Sequence, residues 1–366
     1  MTPADLSLTV LHAVRRAVDE GALRVEVPAR VKVERPRPGG VGDYASSVAL
    51  SLARPSGRPP LDVALILKER LHRSPGIRAV DITGPGFLNF TLDEGSGERV
   101  VREIARAGLR YGHSDALAGA SVRFAAVRED RARLVTETVI RLLRAQGADA
   151  TTADGPEGPD GERLHVRPEG PRLQIRPDGQ RLPGSPAPHA AVTDGPGVER
   201  LPVRPAPYAV DELGPDAARW ALLRAAAGDQ ALAGGPLLVQ HERNGLFRVR
   251  YAHSRARALI RNGAQLGVTP GPEAYEGTGD AAALLALLGD HPAVLLSAAR
   301  HRAPDRVARH LEAVADALLA FQHTVLPLGD EKPSAAHRSR LALAEAAGTV
   351  LAGGLSLLGI SAPDQI

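Results

Sequence analysis

The sequence predicts three parts: an α+β domain over residues 1–115, a degenerate α/β remnant with a Pro/Gly-rich connector over 116–209, and an all-α helical bundle over 210–366. Three observations support this division. Helix-like and strand-like spacings of apolar residues are mixed in the first third of the chain, and prolines and glycines crowd the middle. From residue 209 onward the apolar spacing is helical almost without interruption.

The first part begins with Thr2-Pro3, a helix start, and then places apolar residues at helical spacing. The turn Gly84-Pro85-Gly86 joins two strand-like segments, so we expect a hairpin there. The predicted elements are an extended segment over Val25–Val33, helices over Tyr44–Ala53, Pro60–Arg73 and Glu98–Leu109, and strands over Ile77–Ile82 and Phe87–Leu92.

The middle part starts with one strand-helix unit, predicted over Ser121–Val127 and Leu134–Gln146. Residues 155–207 then hold 12 of the chain's 30 prolines and eight of its glycines. Proline interrupts helices and is confined to strand edges, so we expect an extended connector. Short strands are predicted there over Arg163–Val166 and Arg172–Ile175.

The last part has the spacing of an antiparallel bundle whose final helix stops at Gly359, with Pro363 beyond it. Six helices are predicted, over Asp216–Ala226, Leu237–Asn262, Ala281–Leu288, Pro292–His301, Pro304–Val325 and His337–Leu358.

The composition excludes several classes of protein. With 43% hydrophobic residues the chain can form proper cores, and with no cysteine it has no disulfide, thiolate zinc site or cysteine nucleophile. We find no apolar run near the roughly 20 residues of a membrane span and no secretory signal. We therefore expect a cytoplasmic protein with no membrane partner.

Chemical motifs are scarce. The three lysines, Lys32, Lys68 and Lys332, never follow a glycine, which excludes a phosphate loop of the Walker type. The histidines show no ligand spacing, and no nucleophile elbow is present. We expect no bound cofactor, no metal and no catalytic residue.

Residues 244–261 are the most informative segment, because they combine an apolar stripe with many arginines and no acidic residue. Guanidinium groups bind phosphates and an aromatic ring stacks on an unpaired base, which favours single-stranded or looped RNA. The alternative is a solvated helix face. The stripe is Leu246, Val249, His253, Ala256 and Ile260, and the polar face holds Tyr251 with Arg248, Arg250, Arg255, Arg257 and Arg261.

The basic segment is a local feature. Residues 210–366 hold 15 basic and 16 acidic residues, so the last part of the chain is near neutral. This pattern indicates a localised contact and not a surface that coats nucleic acid.

Several motifs, in order, resemble the arginyl-tRNA synthetase family. Residues 42–49 read GDYASSVA and residues 84–90 read GPGFLNF. Near the other end stand DAARW at 216–220, Asn244 followed by YAHSR at 251–255, and GLSLLGISAP at 354–363. The resemblance covers residues 1 to about 127 and about 208 to 366, and implies an N-terminal tRNA-contacting domain and a DALR-type anticodon-binding bundle.

The resemblance implies tRNA as a partner. Phe87 and Asn89 match positions implicated in D-loop contact, although a core Phe and a turn-stabilising Asn is the alternative. Tyr251 and Arg255 match the anticodon-side helix. Three residues before this tyrosine the family commonly has another aromatic residue, where this chain has Arg248.

The middle departs from the family. A His-x-Gly-His signature should follow the first catalytic strand, but Arg128-Glu129-Asp130-Arg131-Ala132-Arg133 stands there, and no lysine between Lys68 and Lys332 allows a Lys-Met-Ser-Lys-Ser-like loop. We therefore expect a tRNA-binding protein that is not an enzyme. The alternatives are a module that docks on a synthetase or another translation factor and, third, a surviving arginine–tRNA ligase.

Overall fold

The structure is a computed structural model that describes residues 3–36, 41–93, 95–153, 192–193, 197–207, 213–271 and 280–366. The strands predicted over Arg163–Val166 and Arg172–Ile175 lie outside the described residues.

The first part is an α+β domain. Its three-stranded antiparallel sheet has the order β1-β3-β2, with β1 over Tyr44–Ser46, β2 over Ile77–Thr83 and β3 over Phe87–Leu92. Helices α2 over Val48–Ser56 and α3 over Pro60–Leu71 pack against the sheet, and α1 over Pro3–Asp19 packs against α3. The predicted hairpin over residues 77–92 is confirmed.

One local prediction in this domain is wrong. Residues 44–46, predicted as helix, form β1, because pairing of Tyr44 with Phe90 and burial of Tyr44 and Ser46 override the local spacing. Residues 25–33 form no strand. Only Glu34, just beyond them, pairs with Ala45 in an isolated bridge.

The apolar side chains of the described residues form two separate cores. One extends from Leu6 to Leu92, and the other begins at Val100 in helix α4 (Ser96–Ala107) and continues through the middle part and the bundle. Helix α4 therefore packs with the C-terminal parts. The domain boundary at residue 115 stays a prediction, and the cores divide before it.

The middle part contains a small sheet with the order β5-β4-β7-β6. The predicted strand-helix unit is present as β4 (Ser121–Phe124) and helix α5 (Asp130–Ala145). Strand β4 pairs in parallel with β5 (Asp149–Thr152) and with β7 (Val198–Arg200), and β7 pairs antiparallel with β6 (Val192–Thr193).

Arg131 joins α5 to the C-terminal part. Its side chain is fully buried and donates hydrogen bonds to backbone carbonyls that include those of Leu222, Arg204 and Asp229, at 3.1, 2.8 and 2.6 Å. Two further carbonyls, those of Ala225 and Ala226, accept from its Nη2. A buried charge is tolerated here because carbonyl oxygens surround it.

The C-terminal part is a helical bundle. Its described helices are α6 over Pro215–Leu223, α7 over Gly245–Gln265, α8 over Asp280–His301, α9 over Asp305–Phe321 and α10 over Ala335–Leu358. Helix α7 begins eight residues later than predicted, and a 3₁₀ turn over Gly235–Leu238 precedes it.

The bundle has one helix where two were predicted over 281–301, because Pro292 lies inside α8 without ending it. Proline has no N–H to donate to the carbonyl four residues earlier, which is that of Leu288. The Tyr111 hydroxyl donates to this carbonyl at 3.2 Å instead. A residue outside the bundle thus satisfies the acceptor that proline leaves free.

A buried histidine pair lies beside this contact. The His291 ring stacks on Tyr111 at 5.9 Å and lies 5.2 Å from the His310 ring. Burial lowers the pKa of His310 to about 4 and lowers the pKa of His291 as well, with His310 adding to the latter effect. Both imidazoles are therefore neutral at pH 7 and pack as part of the core.

The apolar character of two helices corrects a further expectation. Helices α8 and α10 are long and apolar enough, by length and composition, to cross a membrane. Of the apolar window of α10, 72% is buried, against 39% for α8. Core helices of globular proteins meet the same criterion, and α10 packs against α7, α8 and α9.

Candidate nucleic-acid interface

Helix α7 carries most of the predicted interface, and Asn244 fixes where it begins. The Asn244 side-chain oxygen accepts from the backbone N–H of Phe247 at 3.2 Å, a helix N-cap. Its amide nitrogen donates to the carbonyls of Leu237 and Val239, each at 2.9 Å. Asn244 therefore ties the helix start to the preceding turn.

The apolar stripe predicted for α7 is confirmed. Leu246, Val249, His253 and Ala256 are buried, and Ile260 is half-buried. The stripe faces α9 and α10. Burial lowers the pKa of His253, and its Nδ1 lies 3.0 Å from the carbonyl of Pro363, so a neutral ring that donates to this carbonyl fits the site.

Two aromatic rings lie on the opposite, outward side of α7. Phe247 and Tyr251 are one helical turn apart, and their rings stack with centroids 5.7 Å apart and planes at 18°. Tyr251 is 41% exposed and Phe247 is half-buried. The stacked rings of Phe247 and Tyr251 together form one continuous aromatic surface.

The sequence reasoning missed Phe247. The resemblance places a second aromatic residue three positions before Tyr251, where this chain has Arg248, whereas Phe247 stands four positions before it. The i, i+4 spacing of two aromatic residues on a helix was the available signal, because such residues are neighbours on one face.

The arginines of α7 lie at the two edges of this aromatic surface. At one edge, the Nε of Arg248 donates to Asp316 at 2.9 Å and the Nε of Arg255 donates to Gln322 at 2.6 Å. The other edge carries Arg250, 3.7 Å from Asp216, and Arg257, 3.1 Å from Asp364.

These ion pairs change the electrostatic interpretation of the segment. Residues 244–261 contain no acidic residue, but α6, α9 and the C-terminal tail bring carboxylates to Arg248, Arg250 and Arg257. The Arg257–Asp364 pair is exposed on both sides, and a pair of this kind contributes about 0–1 kcal/mol. Arg248 and Arg250 are half-buried. All three ion pairs orient the guanidinium groups, and the exposed pair exchanges its carboxylate for a phosphate at small cost.

Arg261 and Arg243 differ from Arg248, Arg250 and Arg257 in their lack of a nearby carboxylate among the described residues. Both are exposed, and within the described part of the chain no carboxylate lies within 4.0 Å of either side chain. Arg261 lies on the outward side of α7 one turn beyond Arg257, so it extends that basic edge of the aromatic surface.

The second predicted contact is the hairpin of the N-terminal domain. Phe87 is 40% exposed at the start of β3. Gly86 has a φ of 138°, and a Cβ there would lie 2.8 Å from the carbonyl oxygen of Pro60, so glycine lets the turn pack on α3. The packing holds Phe87 at the domain surface.

Asn89 has the place of the alternative expectation, an Asn that stabilises the turn. It is only 5% exposed, and its amide donates to Thr83 Oγ1 at 2.8 Å and to the carbonyl of Phe87 at 3.3 Å. The amide is consumed within the hairpin, so it positions Phe87 and does not face an RNA base. This corrects the expected direct contact of Asn89.

The N-terminal domain is attached to the bundle by a polar contact. The Nε of Arg35 donates to Asp290 in α8 at 2.8 Å, and the Tyr44 hydroxyl donates to the same carboxylate at 3.4 Å. The Arg35 guanidinium also lies over the Tyr44 ring, 5.3 Å from its centroid. Burial raises the pKa of Tyr44, and the Asp290 carboxylate raises it further.

Metal binding finds no support in the described residues, where no group of three or more His, Asp or Glu side chains is placed to hold an ion.

Comparison with known proteins gives matches at both ends of the chain. Residues 8–92 match the arginyl tRNA synthetase N terminal domain, and residues 249–366 match the DALR anticodon binding domain. The chain belongs to the arginyl-tRNA synthetase family. It carries the tRNA-binding and anticodon-binding domains of that family, and the predicted resemblance of the two ends is confirmed.

Individual relatives of the family differ in how much they share with the chain. The arginine–tRNA ligase of Micrococcus luteus is 45% identical over 166 residues, which are 41% of this chain and 30% of that protein. The chain thus spans less than a third of this relative's length in that match. The arginine–tRNA ligase of Pseudarthrobacter chlorophenolicus is 27% identical in an alignment of 555 residues that covers 100% of both chains.

Solved structures of the family share the fold. Thermus thermophilus arginyl-tRNA synthetase superposes with a TM-score of 0.67 at 17% identity and covers 100% of both chains. The arginyl-tRNA synthetase of Plasmodium falciparum has a TM-score of 0.63 at 9% identity and covers 100% of this chain.

The comparisons overturn one expectation. We predicted that the chain is not an enzyme, because its sequence lacks two signatures of the family. That prediction is wrong: relatives that align with the whole chain are arginine–tRNA ligases, and nothing in the described residues shows a loss of activity. The absence of two short motifs does not by itself establish the absence of a reaction.

Proposed function

We propose that this chain binds tRNA at two places, with the outward side of α7 on the anticodon loop and the Phe87 hairpin on the D-loop. The relatives support tRNA as the partner, since they are arginine–tRNA ligases. A protein partner such as a synthetase or another translation factor stays a prediction.

The stacked pair Phe247–Tyr251 is the observation that carries the proposal. An exposed ring that is already stacked loses little freedom when a base stacks on it, and base–aromatic stacking contributes about 1–3 kcal/mol per base. Unpaired loop bases are the part of an RNA that offers free faces. The anticodon loop is such a segment.

The arginine edges supply the second half of the contact. Arg248 and Arg255 on one side, and Arg250 and Arg257 on the other, place guanidinium groups beside the aromatic surface. Stacked bases place their phosphates at their margins, so this arrangement fits bases in the centre and phosphates at both edges. In the hairpin, Phe87 provides a ring on which a base can stack. The Asn89 amide positions Phe87 through a hydrogen bond to its carbonyl.

A gel-shift titration with total tRNA tests the proposal. We expect Phe247→Ala with Tyr251→Ala to weaken binding about 10-fold or more, because one stacked base is lost from the surface. Binding by the unaltered protein should also fall steeply between two salt concentrations, since counterions are released from the RNA.

The control variant is Leu266→Ala with Leu328→Ala, which removes two exposed apolar side chains away from the aromatic pair, one just after the end of α7 and one in the loop before α10. It should bind tRNA like the unaltered protein. Equal affinity of the aromatic variant and this control would contradict the proposed anticodon surface.

A second candidate function is arginine attachment to tRNA. The observation in its favour is the alignment of ligases along the whole chain. Incubation of the purified protein with arginine, ATP and total tRNA tests it directly, and formation of acid-precipitable arginyl-tRNA is the expected result. No product at enzyme concentrations that saturate the tRNA would reject this second candidate and leave the binding proposal in place.

A further inference from the structure

The N-terminal domain has a basic groove far from the Phe87 hairpin. It lies between α1 and the end of α3 and has a volume of about 600 Å³. Among its walls are the hydroxyl residues Thr9 and Ser74 and the side chain of His12. The charged residues that line it are Arg15, Arg16, Asp19, Arg70 and Arg73.

The charges of the groove are strongly unequal, with four arginines against Asp19. The nearby Glu20 accepts a hydrogen bond from Arg70 Nε at 3.0 Å and neutralises part of the excess. The remaining positive charge faces a concave surface, where a low-dielectric wall concentrates the field.

Two of the arginines are held in place by the backbone. Arg16 donates to the carbonyl of Arg70 at 2.7 Å, and Arg70 donates to the carbonyl of Ile66 at 2.7 Å. The first bond joins α1 to α3, and the second lies within α3. Arg16 and Arg70 are therefore accounted for by the fold itself.

Arg15 and Arg73 are not accounted for in this way. Both are exposed, and no carboxylate among the described residues lies within 4.0 Å of either guanidinium. The Arg73 Nε donates to His72, which carries no negative charge to neutralise it. Two guanidinium groups at one concave site suit the phosphates of a nucleic-acid backbone.

We propose that this groove binds backbone phosphates of the same tRNA that contacts Phe87, an inference that rests on the proposed function. The groove lies at the end of α3, whereas Gly86 packs on Pro60 at its beginning. Eleven steps of about 1.5 Å separate the first and last residues of the twelve-residue α3, so the two contacts lie roughly 17 Å apart along the helix. An RNA arm whose loop lies on Phe87 spans that distance with its backbone, so the groove adds a sequence-independent contact.

Charge reversal tests this inference on the full chain. We expect Arg15→Glu with Arg73→Glu to weaken tRNA binding about tenfold or more and to lower the slope of log affinity against log salt by about 1–2, one for each lost phosphate contact. The matched control is Arg99→Glu with Arg106→Glu, two exposed arginines of α4 outside the groove, with the same change in net charge. Thermal melting of each variant verifies that it is folded.

The outcomes separate this inference from the proposed function. If the unaltered protein binds tRNA and the Phe247→Ala, Tyr251→Ala variant binds it weakly, but the groove variant behaves like the α4 control in both affinity and salt slope, the groove inference alone is overturned. If the unaltered protein binds no tRNA, both are overturned. A larger loss in the groove variant than in the α4 control is the result that supports the groove.

Discussion

At the scale of the residue, Arg131 shows how far the role of one side chain depends on where the chain brings it. The sequence places it in a run of alternating charges after the first strand of the middle part, and nothing there marks it as buried. In the structure its guanidinium donates hydrogen bonds to backbone carbonyls at the end of α6 and in two loops. A guanidinium has five N–H donors, so it suits a site made of several carbonyls.

We expect Arg131→Ala to lower the free energy of unfolding by about 3–5 kcal/mol, because the carbonyls around the side chain lose their donor while remaining buried. Arg131→Lys should recover only part of this loss, since an ammonium has three donors. Urea denaturation measures both. Arg128→Ala, three residues earlier and exposed, is the control, and a loss as large as that of Arg131→Ala would contradict the explanation.

At the scale of the element, α8 shows how a helix continues through a proline. The sequence rule that proline ends a helix predicts two helices, and the rule is sound for an isolated segment. Here the Tyr111 hydroxyl serves the carbonyl of Leu288, and α8 packs against α9 along its length. Tertiary contacts therefore offset the lost intrahelical hydrogen bond.

A double-mutant cycle tests this account of α8. Tyr111→Phe should lower the free energy of unfolding by about 1–2 kcal/mol, because the Leu288 carbonyl stays buried without a donor. In a Pro292→Ala background the same change should cost less, since the introduced alanine supplies the missing backbone N–H. Calorimetry of the four proteins measures the coupling, and an equal cost in both backgrounds would show that the hydroxyl does not replace the proline's missing donor.

At the scale of the whole molecule, the two proposed RNA contacts belong to separate apolar cores. The contact of Arg35 and Tyr44 with Asp290 is one of the links between them. Binding at two places is strengthened only when both are held at a suitable distance, because the second contact then forms at a high effective concentration. We therefore expect the contact with Asp290 to affect tRNA affinity, although none of its three residues is proposed to contact RNA.

Asp290→Ala should weaken binding of whole tRNA several-fold and leave binding of an isolated anticodon stem-loop unchanged. The first RNA engages both places, and the second engages only α7. Paired titrations with the two RNAs measure the effect. If both affinities fell by the same factor, the link would act through the bundle and not through the relative position of the two domains.

The sequence was sufficient for features that depend on local spacing and on ordered motifs. It predicted the hairpin over residues 77–92, the apolar stripe of α7, the strand-helix unit of the middle part and the family of both ends. Each of these features depends on residues that are close together in the sequence. It failed where the outcome depends on residues far apart in the chain. Strand β1 forms by pairing with a segment over 40 residues away, and the α7 arginines find carboxylates on other elements.

What the sequence determined by itself is the kind of parts and their order, since periodicity and turn residues act within a few residues. What only the tertiary structure decided is which polar side chains are free for a ligand. The sequence left open whether Asn89 contacts RNA or stabilises the turn, and the structure shows its amide hydrogen-bonded inside the hairpin, whereas Phe247, which no motif indicated, stacks on Tyr251. Arg15 and Arg73 line the same groove only because α1 packs against α3. The physical reason is the same in each case: burial and pairing are set by what packs from a distance, and residue type and spacing do not record it.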